Sequence, residues 1–224
     1  NGTYLNALAI IGSGTGGLNL NANTLTFNND GGEIYVDAAK TIVASSGAVI
    51  NFNANKKVSN NSGTGSLTFA ANATININNN ATVDFGKSSG TNISTVNGVL
   101  NIVGNGSSVT PNGPIYATGS KLVYKTAGIY ARKAEWNANS GAGYPYDVQV
   151  TANTTLNYPN TGSGAFNTAL GIARDLAIDS GSSLYMDYGN GGNKSGSLTV
   201  GRNIVNSGSL SLGDFAGGDL SLGG

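Results

Sequence analysis

The chain has 224 residues, of which 35 are glycine and 32 asparagine, and 10% are charged, against about 25% in ordinary soluble domains. It holds no histidine and no cysteine, which excludes a Ser-His-Asp triad, a cysteine nucleophile, a His/Cys zinc site and a disulfide framework. Lys plus Arg balance Asp plus Glu at 11 each, so there is no basic footprint for nucleic acid, and no run approaches the roughly 18 apolar residues of a membrane-spanning helix.

The hydrophobic 39% of the chain falls in short alternating pieces. Ala7–Ile11 is apolar but has neither a charged flank nor a cleavage pattern, so it does not read as a signal peptide. The glycine-rich Gly12–Gly17 is followed by strand-like Leu18-Asn19-Leu20; without a helix to hold phosphate, it reads as a corner loop. Leu18-Asn19-Leu20 and Leu25-Thr26-Phe27 recur at seven residues. Asn28–Glu33 is turn-like with oxygen ligands at loop spacing, and Glu33 with Asp37 would share one face of a strand. Val49–Phe52 continues the theme, and Leu67, Ile75 and Val83 open apolar–polar–apolar triplets at eight-residue steps. Val99–Val103 follows, then the turn signal Thr110-Pro111-Asn112-Gly113-Pro114.

Tyr116–Tyr158 holds the sole Trp and six of the ten Tyr, interleaved with Lys121, Lys125, Arg132 and Lys133. We read 111–160 as a wider or inserted coil. Tyr124, Tyr130, Trp136, Tyr144 and Tyr146 are the ligand-contact candidates, because aromatic faces stack on sugar rings and partner surfaces. The competing reading is that they plug a wide coil. Val148–Val150 resumes the strands, and Ala165–Asp175 is the one stretch with a helical turn in it. Leu176-Ala177-Ile178, Leu198-Thr199-Val200 and Leu220-Ser221-Leu222 then recur at 22-residue steps. Asp175 and Asp179 bracket the first of these and read as corner caps in preference to a catalytic pair. Asp187, Asn190 and Asn193 are calcium-ligand candidates, although their loop lacks the acidic run and terminal Glu of an EF-hand.

A three-residue apolar–x–apolar strand buries two side chains and cannot stand alone. Stacking successive coils about 4.8 Å apart pairs every backbone and closes an apolar column. Corners must be small or tolerate positive φ, which Gly and Asn do at least cost. One cause therefore accounts for both composition peaks. The expected fold is all-β: a parallel β-helix (β-solenoid) with irregular coils of about 20–25 residues, continuous over 1–224, and a fragment of a longer chain. An antiparallel sandwich is the alternative. Asn-rich turns such as Asn78-Asn79-Asn80 and Asn60-Asn61 are placed to form side-chain ladders between coils.

Leu122–Tyr130, Glu135–Ala138, Ser140–Pro145, Val148–Leu156, Leu198–Leu212 and Ala216–Gly224 together resemble a recurring block in large, repetitive β-rich surface proteins of the Bacteroidota. The resemblance covers most of 115–224. It implies a right-handed parallel β-helix, export by type IX secretion with translocon components as transient partners, and an extracellular, outer-membrane-associated location. The expected function is a non-enzymatic structural or adhesive rod segment serving surface adhesion or gliding motility, without cofactor unless calcium binds. Surface glycans or other cell-surface proteins are the expected contacts. The alternative function is a carbohydrate-binding or polysaccharide-degrading β-helix.

Overall fold

In a computed structural model of the chain, the described residues are 2–5, 8–10, 16–31, 33–36, 40–43, 47–58, 65–87, 91–157, 169–185, 197–211 and 219–222. They form a parallel β-solenoid with one three-residue 3-10 helix, Ala134–Trp136. Its spine is a nine-stranded sheet that runs from Gly2–Leu5 through Thr24–Phe27, Val49–Phe52, Thr74–Ile77, Val99–Val103, Lys121–Lys125, Asp147–Val150 and Asp175–Ile178 to Asn203–Asn206. Every pairing between its strands is parallel.

The register gives the coil lengths. Gly2 lies opposite Thr24, Thr24 opposite Val49, Val49 opposite Thr74, Thr74 opposite Val99, Val99 opposite Lys121, Lys121 opposite Asp147, Val148 opposite Leu176 and Asp175 opposite Asn203. Successive coils thus take 22, 25, 25, 25, 22, 26, 28 and 28 residues, so the last three exceed the expected span. The eight-residue step is one side of a coil: Leu67–Phe69, Thr74–Ile77 and Thr82–Asp84 belong to three different sheets. The 22-residue recurrence also resolves differently. Leu198 is in register with Leu220, but Leu176 is in register with Val148 and Ile204 in the long sheet. The described end of Ala165–Asp175 is a strand, Ala169–Ile172, and not the helical turn that its sequence suggests.

Two series of shorter sheets flank the spine. One contains Leu18–Asn19, Lys40–Val43, Leu67–Phe69, Thr95–Val96 and Ile115–Tyr116, and resumes with Ala169–Ile172, Ser197–Val200 and Asp219–Leu222. The other contains Leu8–Ile10 with Ile34–Val36, then Lys56–Lys57, Thr82–Asp84 and Ser108–Val109, then Ile129–Ala131, Thr155–Asn157, Ser183–Tyr185 and Ser209–Ser211.

Strand alternation sends two columns of side chains inward from the spine. Leu25, Ile50, Ile75, Leu100, Leu122, Val148 and Leu176 form one; Phe27, Phe52, Ile77, Ile102, Tyr124, Val150 and Ile178 form the other, and all are buried. The Phe27 and Phe52 rings stack at 5.2 Å with planes 7° apart. Each such side chain contributes about 1.5–3 kcal/mol through burial.

Between the columns the outer positions pair coil to coil. Asn76 Nδ2 donates to Asn51 Oδ1 at 2.9 Å, and Asn101 Nδ2 to Asn76 Oδ1 at 2.8 Å. At the next corner, Asn53 Nδ2 donates to Asn28 Oδ1 (2.7 Å) and Asn78 Nδ2 to Asn53 Oδ1 (2.6 Å). The Asn78 ladder is therefore present; Asn60-Asn61 lies outside the described residues. Further along, arginine replaces amide. Arg174 grips Asp147 with two bonds (Nε–Oδ1 2.8 Å, Nη2–Oδ2 2.6 Å), and Arg202 grips Asp175 one coil on through the same two nitrogens. The corners themselves stack closely enough to require glycine: a Cβ on Gly98 would stand 2.1 Å from the carbonyl oxygen of Ala73 in the coil below.

Candidate functional site

Among the described residues, two places depart from the regular stack. The first is the aromatic segment. Between Ile129–Ala131 and Asp147–Val150 the chain makes no flanking strand; the 3-10 turn Ala134–Trp136 and the loop that follows take its place. The loop is held below by Gly143 N–H donating to Pro114 O (2.8 Å) and by an antiparallel bridge between Ala142 and Ile115. It is held above by Gly171 N–H donating to Ala138 O (3.1 Å). Trp136 is wholly buried and donates from Nε1 to Gly171 O at 2.9 Å.

Of the five aromatic residues that the sequence offers for ligand contact, three point into the interior. Tyr124, Tyr130 and Trp136 are buried, with the Tyr124 and Tyr130 rings 5.6 Å apart. Tyr144 and Tyr146 are half-buried at the surface. Tyr146 lies under the Arg174 guanidinium, 5.1 Å from ring centre to Cζ, a cation–π contact. Tyr144 packs over Gly171, where a Cβ would meet its ring at 2.5 Å. Only Tyr144 and Tyr146 are thus open to an external ligand.

The buried cluster centres on Glu135, which has no exposure. Its Oε1 accepts from Lys133 N–H (2.8 Å) and Tyr124 Oη (3.1 Å), and its backbone carbonyl accepts from Tyr116 Oη (2.9 Å). Glu135 Oε2 and Tyr130 Oη are buried without a hydrogen-bond partner. Burial pushes the Glu135 carboxyl above its ordinary value, and burial beside Glu135 likewise raises the Tyr116, Tyr124 and Tyr130 hydroxyls. The centre of the cluster is closed off from solvent: Tyr124, Glu135 and Trp136 have no exposure.

The second departure is a corner. Lys56 stands opposite Val83, which stands opposite Val109. Both valines are fully buried, so the register turns Lys56 inward, and it is only 3% exposed. Its Nζ donates to the backbone carbonyls of Asn29 and Gly31, one coil earlier. Burial lowers the Lys56 ammonium from its ordinary value, with Asp30 opposing. Asn29 and Gly31 therefore offer their carbonyl oxygens to a tethered ammonium. Asp30 also receives Asn55 N–H at 2.9 Å.

Beside this corner opens a cavity of about 350 Å³, lined by Gly31, Glu33, Asn55, Lys56, Thr82, Asp84, Thr110 and Pro111. Asp84 is 4% exposed. Its Oδ1 is fixed by three donors: Gly86 N (3.1 Å), Asn112 N (3.3 Å) and Asn112 Nδ2 (2.9 Å). Its Oδ2 meets no donor among the described residues, while the residue lines the cavity.

The other acidic candidates are occupied or out of view. Asp175 lies in the arginine ladder, and Asp179 Oδ2 accepts from Gln149 Nε2 at 2.9 Å. Asp37 and the calcium candidates Asp187, Asn190 and Asn193 lie outside the described residues. Among the described residues no group of three or more acidic, His or Cys side chains is placed to hold a metal ion, and no helix is long and apolar enough to cross a membrane. In comparisons with known proteins, the chain matches no family model, no curated protein and no solved structure.

Sequence reasoning misses the Lys56 corner. A lysine pair inside an Asn-rich stretch reads as a solvated turn, and its partners lie 25 and 27 residues upstream. Thr110-Pro111 is legible as a turn, but its place beside Glu33 and Asp84 depends on coil register.

Proposed function

We propose that the chain is a non-enzymatic rod segment of a large secreted cell-surface protein, exported by type IX secretion and serving adhesion or gliding. The observation that carries this reading is the uninterrupted nine-stranded spine, stitched coil to coil on its outer side by asparagine and by arginine–aspartate pairs. Such a stack resists bending because each layer bonds to the next along its whole width. The secretion route and surface location rest on the resemblance of 115–224 to Bacteroidota surface proteins. The test uses an antibody raised against the folded chain. It labels intact producing cells, and in-frame deletion of the segment lowers attachment or gliding while other type IX cargo is still released. Unlabelled intact cells, or unchanged attachment and gliding, would overturn the reading.

One observation favours a second reading, a carbohydrate-binding β-helix: the cavity that places Glu33 and Asp84 in one lining. Carboxylates accept strongly from hydroxyl groups, and a glycan array probed with the purified chain tests it.

A further inference from the structure

We propose that the cavity between the Asn28–Glu33 corner and the Thr110-Pro111 turn binds one neutral saccharide unit, whose hydroxyls donate to Asp84 and Glu33. The proposal rests on the carbohydrate-binding reading and supplies its site and ligand class. The volume of about 350 Å³ lies at the small end of ligand pockets. The decisive group is Asp84. Three N–H donors lock its Oδ1, no described residue donates to its Oδ2, and the residue lines the cavity. A carboxylate on a residue only 4% exposed gains more from a ligand O–H than one in open solvent.

Charge narrows the class. An acidic sugar would meet the Asp84 carboxylate, and the Lys56 ammonium in the same lining is committed to the carbonyls of Asn29 and Gly31. The same ammonium already fills the carbonyl cradle that a cation would use. A neutral polyol avoids both conflicts. Pro111, with Thr82 and Thr110 beside it in the lining, supplies carbon surface for the C–H faces of a pyranose.

Saturation-transfer NMR on the purified chain would use the methyl glycosides of glucose, galactose, mannose and N-acetylglucosamine, with glucuronate, lysine and calcium chloride as charged probes. At least one neutral glycoside binds at millimolar concentration or below. Asp84→Asn keeps an acceptor at Oδ1 for the three donors and weakens binding at least tenfold, as does Glu33→Gln. Thr110→Trp, at an exposed rim position, blocks the cavity without touching either carboxylate and abolishes binding. Circular dichroism melts confirm that the variants fold, and Thr110→Trp decides the matter if Asp84→Asn does not. Binding of a charged probe alone, or of no neutral glycoside, overturns the proposal. A neutral glycoside held equally well by all three variants overturns this site and leaves the carbohydrate-binding reading standing. A blank glycan array with wild-type protein removes that reading as well.

Discussion

Glu135 is a carboxyl with no route to solvent and one oxygen without a partner. Its folded value is raised above the ordinary 4.5 by burial, against the Lys133 and Tyr124 donors and the nearby Arg132 charge. A carboxyl raised on folding contributes its stability fully below its unfolded value, and that contribution is lost as pH rises through the folded one. Asp175 works with the opposite sign. The Arg202 guanidinium holds it below its ordinary 3.8, so its contribution is present above that value and is lost on acidification through the lowered one. Urea midpoints of the wild-type chain are therefore expected to fall as pH rises above the ordinary carboxyl value of 4.5. Glu135→Gln retains the acceptor for Lys133 and Tyr124 and flattens that decline. A decline of equal slope in the variant would assign it to other groups.

At the scale of elements, the turn Ala134–Trp136 and its loop substitute for a missing strand, and Trp136 is their anchor. Trp136→Ala removes the largest fully buried side chain and orphans the Gly171 carbonyl. The expected cost is about 3–5 kcal/mol, read as a lowered urea midpoint with the β-signal retained at zero denaturant. The strands themselves are legible in the sequence, because an apolar–x–apolar triplet flanked by Gly or Asn has few other ways to bury its side chains. Which triplets stack on one another is not. Leu176, Leu198 and Leu220 look equivalent in sequence, yet corner lengths put the first in a different sheet from the other two. Of the candidate site, the aromatic cluster is visible as composition, but its direction is hidden. Tyr124 is inward because it stacks on Ile102, a fact of register that spans 22 residues. The Lys56 corner is hidden for the same reason, since its bonds cross coils.

For the whole molecule, the consecutive 25-residue coils imply interchangeable layers. Thr74 and Val99 hold equivalent places, so deleting residues 74–98 joins Ala73 to Val99 and lays Val99–Val103 on Val49–Phe52. Leu100 then meets Ile50, Ile102 meets Phe52, and Asn101 meets Asn51, restoring the amide ladder. The shortened chain is expected to keep its β-spectrum and a cooperative urea transition, with a smaller radius of gyration by X-ray scattering. Deleting only 74–86 breaks the register and is expected to yield aggregated protein. A shortened chain that fails to fold after loss of the full coil would show that the layers are not independent.

The parallel register has one more consequence. Each coil of 22 to 28 residues advances the stack by a single strand spacing, about 4.8 Å, or roughly 0.2 Å per residue, whereas an extended chain advances about 3.3 Å. The molecule converts its length into girth and not into reach, which suits a post far better than a tether.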